Sequence, residues 1–142
     1  MSQNTAIPGI EEPLEGSDLA ASLTVRDLER SAAWYRQTLG FTVDRKHERQ
    51  GRLVGISLKA GTVNLLLTQD DGAKGLDRAK GDGFSLQIST TQSADSLAAR
   101  ARSQGAVLDT EPTDMPWGPR IFRVRDPDGF RWTISSTSSV TR

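Results

Sequence analysis

Residues 117–134 read WGPRIFRVRDPDGFRWTI: a strand, a tight turn and a second strand. Asp126-Pro127-Asp128-Gly129 offers an acceptor side chain at the first corner, a proline that fixes φ at the second and a glycine at the fourth, which is type I turn chemistry. The flanks alternate. Phe122 and Val124 before the turn and Phe130, Trp132 and Ile134 after it point one way, while Arg123, Arg131, Thr133 and Ser135 point the other. One face belongs to a core; the other is polar and carries two arginines.

Upstream, the same grammar recurs. Leu19, Ala21, Leu23 and Val25 alternate with Ala20, Ser22 and Thr24 as a half-buried strand. Asp27 is placed to cap a helix in which Leu28, Ala32, Tyr35 and Leu39 recur at helical spacing and Gly40 supplies the stop. Strands are expected at residues 41–46, 53–59 and 63–68, with a charged turn, containing His47, between the first two. Residues 70–83 hold four glycines without periodicity and read as a connecting loop. A strand at 84–89, a helix capped by Ser93 and closed by Gly105, a strand at 107–111 and the hairpin complete a second set. Shifted by 65 residues, Val25 falls on Thr90, Asp27 on Gln92 and Gly40 on Gly105. The chain therefore reads as two βαβββ modules, about 18–69 and 83–136, in one α+β domain over 18–142. Residues 1–17, rich in Pro, Gly and acidic residues, read as a flexible N-terminal arm. Two curved sheets placed side by side, with helices outside, would enclose a cavity.

Composition narrows the function. Eighteen basic and 18 acidic residues in 142 leave no net charge to draw the chain to nucleic acid or membrane. There is no cysteine for disulfides or thiolate chemistry. No segment approaches a membrane span or signal peptide, so a cytoplasmic protein is expected.

Residues 23–41, LTVRDLERSAAWYRQTLGF, and 116–134, PWGPRIFRVRDPDGFRWTI, resemble the vicinal oxygen chelate superfamily, which contains glyoxalase I, extradiol dioxygenases and bleomycin-resistance proteins. The resemblance covers nearly everything after residue 17 and implies a curved mixed sheet around a cavity. Metal-dependent members place ligands on the first and last strand of each module. Those positions fall here on Ala20, Leu66, Ser85 and Thr133, none of which offers the imidazole or carboxylate that zinc, iron or nickel takes. His47 is the single histidine and cannot build such a site alone. The expectation is therefore no metal, no cofactor, and neither glyoxalase I nor dioxygenase chemistry.

Strand parity assigns the cavity lining to small polar groups. Expected ligand-binding residues are Ser22, Asn64, Leu66, Ser85, Gln87, Arg123, Arg131 and Thr133. Trp117 joins them as a stacking residue, because MPWG resembles a pocket-bordering loop of bleomycin-resistance-like proteins; the competing role for Trp117 is to cap the core. The arginines could hold a carboxylate or phosphate and would repel a cation such as bleomycin. Two functions remain. One is a metal-independent binding protein that sequesters an antibiotic or natural product. The other is a metal-independent isomerase, lyase or cyclase, for which the lining supplies no titrating group. By resemblance the partner expected is a second copy, forming a homodimer.

Overall fold

The computed structural model describes residues 12–137. Most of the expected N-terminal arm, and residues 138–142 of the expected domain, lie outside that range. Residues 12–20 are exposed and belong to no helix or strand. The first module is β1 (Ala21–Val25), α1 (Leu28–Trp34), a wider π-helical turn (Tyr35–Leu39), β2 (Thr42–Arg49), β3 (Arg52–Ala60) and β4 (Val63–Gln69). The second is β5 (Leu86–Thr90), α2 (Ala94–Ser103), β6 (Leu108–Asp114), β7 (Arg120–Arg125) and β8 (Arg131–Ser136). The doubled βαβββ order is as the sequence implies.

Local chemistry sets the helix ends. Asp27 accepts from Arg30 N at 3.2 Å and Ser93 from Ser96 N at 3.2 Å, satisfying orphan amides at each N-terminus. Gly40 (φ 87°) and Gly105 (φ 91°) turn the chain out through the left-handed region. Each module forms its own four-stranded sheet, in the orders β1-β4-β3-β2 and β5-β8-β7-β6. The first and last strands of each module are parallel neighbours; the other pairings are antiparallel.

The helices are not outside the pair of sheets. Leu28, Ala32, Tyr35, Ala94 and Ala98 share one core with Leu23, Ile56, Leu65 and Leu67 of the first sheet and Phe122, Val124, Trp132 and Ile134 of the second. Helix α2 packs against the π-helical turn of the first module as well as against β6, β7 and β8. The physical reason is that each helix has an apolar stripe and each sheet one apolar face, and a single shared core buries all four at once. The polar face of each sheet is consequently turned away from that core.

The DPDG hairpin does more than reverse the chain. Asp126 Oδ1 accepts from Asp128 N (2.9 Å) and Phe130 N (2.8 Å), closing the turn. Its Oδ2 takes the Tyr35 hydroxyl at 2.6 Å, and Trp132 Nε1 donates to that same hydroxyl at 2.8 Å. Asp128 accepts from Arg26 N at 2.9 Å and Ser31 Oγ at 3.3 Å. Lys80, almost fully buried, donates to Asp70 at 2.7 Å and to the Thr24 carbonyl at 2.9 Å, and lies 3.7 Å from Asp128. A polar seam thus joins the modules, and its acids answer it differently. Burial pushes Asp126 above the usual carboxylate range despite the Tyr35 hydroxyl. The Lys80 ammonium holds Asp70 below that range. Burial, then the Asp126 charge, pushes Tyr35 well above its ordinary 10.

Candidate functional site

The expected site residues divide between two outer faces. On the first sheet, Ser22 on β1 stands beside Leu66 on β4, and Leu66 beside Ser57 on β3. Asn64 is exposed opposite Lys59. On the second sheet, Gln87 on β5 stands beside Thr133 on β8, and Thr133 beside Arg123 on β7. Arg131 opposes Arg125 on the same face. Within one chain the two groups lie on faces turned away from their common core, so Ser22, Asn64 and Leu66 line no pocket with the second group.

The second face is the more developed. Gly83, Phe84, Ser85, Asp109, Arg123, Arg131, Trp132 and Thr133 line a groove of about 300 Å3. Arg123 Nε donates to Thr133 Oγ1 at 3.3 Å, and Arg131 Nη2 to the Gly81 carbonyl at 3.3 Å. Among the described residues neither guanidinium has a carboxylate within 4 Å, unlike Arg26, Arg78, Arg102, Arg120 and Arg125, which are paired. Asp109, the one acid in the groove, is held by Arg125 at 2.9 Å. Two guanidiniums with donors to spare over hydroxyls have the chemistry to hold a carboxylate, phosphate or other anionic oxygen.

Trp117 is outside this groove. It sits in the β6–β7 turn, closed by Gly118 N to Met115 O at 3.0 Å and Met115 N to Pro119 O at 2.8 Å, and its side chain is 72% exposed. It therefore caps no core. That turn lies at the Arg120 end of β7, while the groove lies toward Arg131, about five residues or ~16 Å away along the strands. The aromatic that does border the groove is Phe84, 45% exposed and packed against Phe130 with ring centroids 6.1 Å apart. Phe84 does not open a strand at 84–89 as expected: β5 starts at Leu86, and Phe84 stands in the approach to it after Gly81 and Gly83, which no periodicity encodes. Trp34 and Trp132 pack on Tyr35 in the core, as their spacing implies.

His47 is also differently placed from the turn residue expected. Strand β2 runs on to Arg49, so His47 stands in the sheet opposite Gly55, half-buried, with Nε2 2.8 Å from Ser57 Oγ. Nearby on β2, Asp44 pairs with Lys59 of β3 at 3.6 Å.

A separate cavity of about 600 Å3 opens between the modules, walled by Phe41, Val63, Ile88, Leu97, Phe122 and Ile134. None of the expected site residues reaches it. Its one charged group, Arg100, is engaged with the Gln37 and Arg36 carbonyls at 3.2 and 3.1 Å, so it carries no evident chemistry.

The family model for the Glyoxalase/Bleomycin resistance protein/Dioxygenase superfamily matches residues 18–134. The chain belongs to that superfamily. No curated protein sequence matches it. Among solved structures, a glyoxylase/bleomycin resistance protein/dioxygenase domain from Frankia sp. EAN1pec is 25% identical with a TM-score of 0.72, over 90% of this chain and 96% of that one. TioX from Micromonospora sp. ML1 is 22% identical with a TM-score of 0.70, over 86% and 99%. UcmS2 is 18% identical with a TM-score of 0.64, over 85% and 98%. The last two speak to fold alone.

The superfamily implies a metal, and the residues at its positions do not fit one. Ala20, Leu66, Ser85 and Thr133 present hydrocarbon and two neutral hydroxyls, without imidazole or carboxylate. Among the described residues no three His, Cys, Asp or Glu side chains gather elsewhere. Nor is any described helix long and apolar enough to cross a membrane.

Proposed function

We propose that this chain is a metal-independent small-molecule-binding protein that sequesters an antibiotic or natural product bearing an anionic group and a planar portion. The observation that carries the reading is the pair of guanidiniums, Arg123 and Arg131, without carboxylate partners in a groove edged by Phe84. Ser85, Gln87 and Thr133 supply neutral hydrogen bonds beside them. The superfamily's own description names bleomycin resistance proteins beside glyoxalases and dioxygenases, so it accommodates binding without turnover, and the arginines favour an anion over a cationic ligand.

The second wall of the pocket is the outer face of the first sheet in a second copy, with Ser22, Asn64 and Leu66. A groove of about 300 Å3 is at the small end for a ligand site, and such sites normally cover most of the ligand surface. A homodimer that apposes unlike faces would close it twice. The cytoplasm, with neither nucleic acid nor membrane as partner, fits the balanced charge.

Native mass spectrometry of the protein from its own host, with metal analysis of the same sample, tests this. The expected result is a metal-free dimer retaining an unmodified small molecule, and weaker retention by Arg123→Gln and Arg131→Gln. Stoichiometric zinc, iron, nickel or manganese would overturn the metal-independent reading, and an exclusively monomeric protein would remove the two-copy pocket.

A further inference from the structure

We infer that His47 and Ser57 form a proton-accepting site for a weakly acidic hydroxyl, a phenol or an enol, on the outer face of the first sheet. The inference rests on the reading that ligand is held over the outer faces, and names the chemistry that the first face contributes.

Four observations lead there. First, His47 lies in mid-strand, its backbone opposite Gly55, and Gly55 lies opposite Thr68, so the ring shares its face with the expected ligand residues. Second, position 55 has no side chain. A Cβ there would stand 3.6 Å from both His47 Cδ2 and Leu66 Cδ1, so the imidazole lies over bare backbone and reaches toward Leu66. Third, Nε2 is 2.8 Å from Ser57 Oγ, and Ser57 stands opposite Leu66. Fourth, Nδ1 on the other edge of the ring has no hydrogen-bond partner among the described residues. The charged groups on this face are Asp44 and Lys59, which pair with each other at 3.6 Å, Arg45, which stands opposite Ser57, and Glu48, which stands opposite Leu53.

This is an imidazole with one nitrogen fixed by protein and the other open to a ligand. When Nε2–H donates to Ser57 Oγ, the lone pair of the neutral ring is on Nδ1. A ligand O–H that meets Nδ1 passes its proton to it. The ring becomes imidazolium, Nε2–H stays on Ser57, and the ligand oxygen becomes an anion; no other bond changes. The acidity of the ligand group decides what fits. An aliphatic alcohol holds its proton too tightly and a carboxylic acid arrives already ionised, whereas phenols and enols lie between. Their planar skeletons also suit the flat surface over Gly55 and against Leu66. In these terms His47 contacts the ligand and Ser57 is a positioning residue.

The test uses the full-length protein and p-nitrophenol, whose yellow anion reports its own protonation. Equilibrium dialysis measures how much is bound, and the anion absorbance measures how much of the bound fraction has given up its proton, relative to buffer at the same pH. Bound nitrophenol is expected to be enriched in anion. His47→Gln should cut that enrichment by about tenfold or more while dialysis still detects binding. Ser57→Ala should reduce it and Ser57→Thr, which keeps a hydroxyl on a strand-compatible side chain, should restore it. The inference is overturned if bound nitrophenol shows the buffer ratio, if the enrichment survives His47→Gln, if Ser57→Thr behaves as Ser57→Ala, or if only Arg123→Gln removes it. Failure of the wild-type protein to bind nitrophenol also overturns it, and leaves the sequestration reading to the ligand retained in native mass spectrometry.

Discussion

Ser57 stands opposite Leu66 on the first sheet, where Arg123 stands opposite Thr133 on the second. Asn64 opposes Lys59 where Arg131 opposes Arg125. One strand order thus presents a nearly neutral face with a histidine in one module and a face with two unpaired guanidiniums in the other. The inner positions show no such divergence: Leu65 and Leu67 answer to Trp132 and Ile134, all buried. A repeated scaffold keeps its apolar face because burial dictates it, and acquires its chemistry on the face that no helix covers.

The comparison holds only while both faces are fixed to one core, so its most severe test is to loosen the seam. Lys80→Met would leave Asp70 and Asp128 buried without their shared cation. Removing one partner of a buried ion pair is far more damaging than its net worth suggests. The expected outcome is a fall in thermal midpoint of roughly 10 °C or more, seen by circular dichroism. A change of a degree or two would show that the modules are joined by apolar packing alone.

Reversing the sign of the second face comes next. Arg123→Glu with Arg131→Glu should weaken binding of an aromatic carboxylate by about 100-fold, taking each charge-assisted contact as about tenfold, with folding unchanged. The matched control, Asn64→Glu on the first face, should act on binding only in the dimer. Isothermal calorimetry distinguishes the two.

A smaller effect is read from Tyr35, the only tyrosine in the chain. Its folded-state value is raised above the unfolded value of about 10. The stabilisation it contributes is therefore complete below that value and is lost as pH rises toward the folded one. An alkaline absorbance titration should show no phenolate until the protein unfolds, in one step; a gradual phenolate signal from folded protein would mean that Asp126 does not confine the hydroxyl. In acid the two carboxylates act in opposite senses. Asp70, lowered by Lys80, contributes stability that is lost as pH falls through its folded value. Asp126, raised by burial, favours the fold once protonated, an advantage lost as pH rises through its folded value. Asp70→Asn should flatten the acid limb of a stability curve and Asp126→Asn should not.

The smallest effect belongs to Trp117. Trp117→Ala should alter stability by less than about 0.5 kcal/mol, as expected for an exposed side chain with no buried contact, and should leave groove binding unchanged in the same calorimetric assay.

Much of this fold was legible because alternation, caps and helix-stopping glycines are local signals. Leu23 and Val25, Asp27, Gly40, Ser93, Gly105 and the DPDG turn all act as their spacing implies. The position of the helices was not legible, since an apolar stripe does not say which of two sheets will cover it. Parity sorted Arg123, Arg131 and Thr133 onto one face correctly, but could not say that Ser22 and Asn64 belong to another side of the molecule. Two departures have specific causes. His47 read as turn because DRKHERQGR is dominated by charge and ends in a glycine turn, and β2 is an edge strand so exposed that polarity there carries no loop meaning. Lys80 read as loop surface because nothing in a glycine-rich segment announces that a single lysine is buried across its neighbours.

That buried lysine changes what the segment between the modules is for. Lys80 is anchored to Thr24 and Asp70, so the exposed stretch at residues 73–76 ahead of it is slack rope rather than mooring. The halves are held by the seam and the shared core, and a protease cut beside Lys74 would leave two pieces still clasped as one particle.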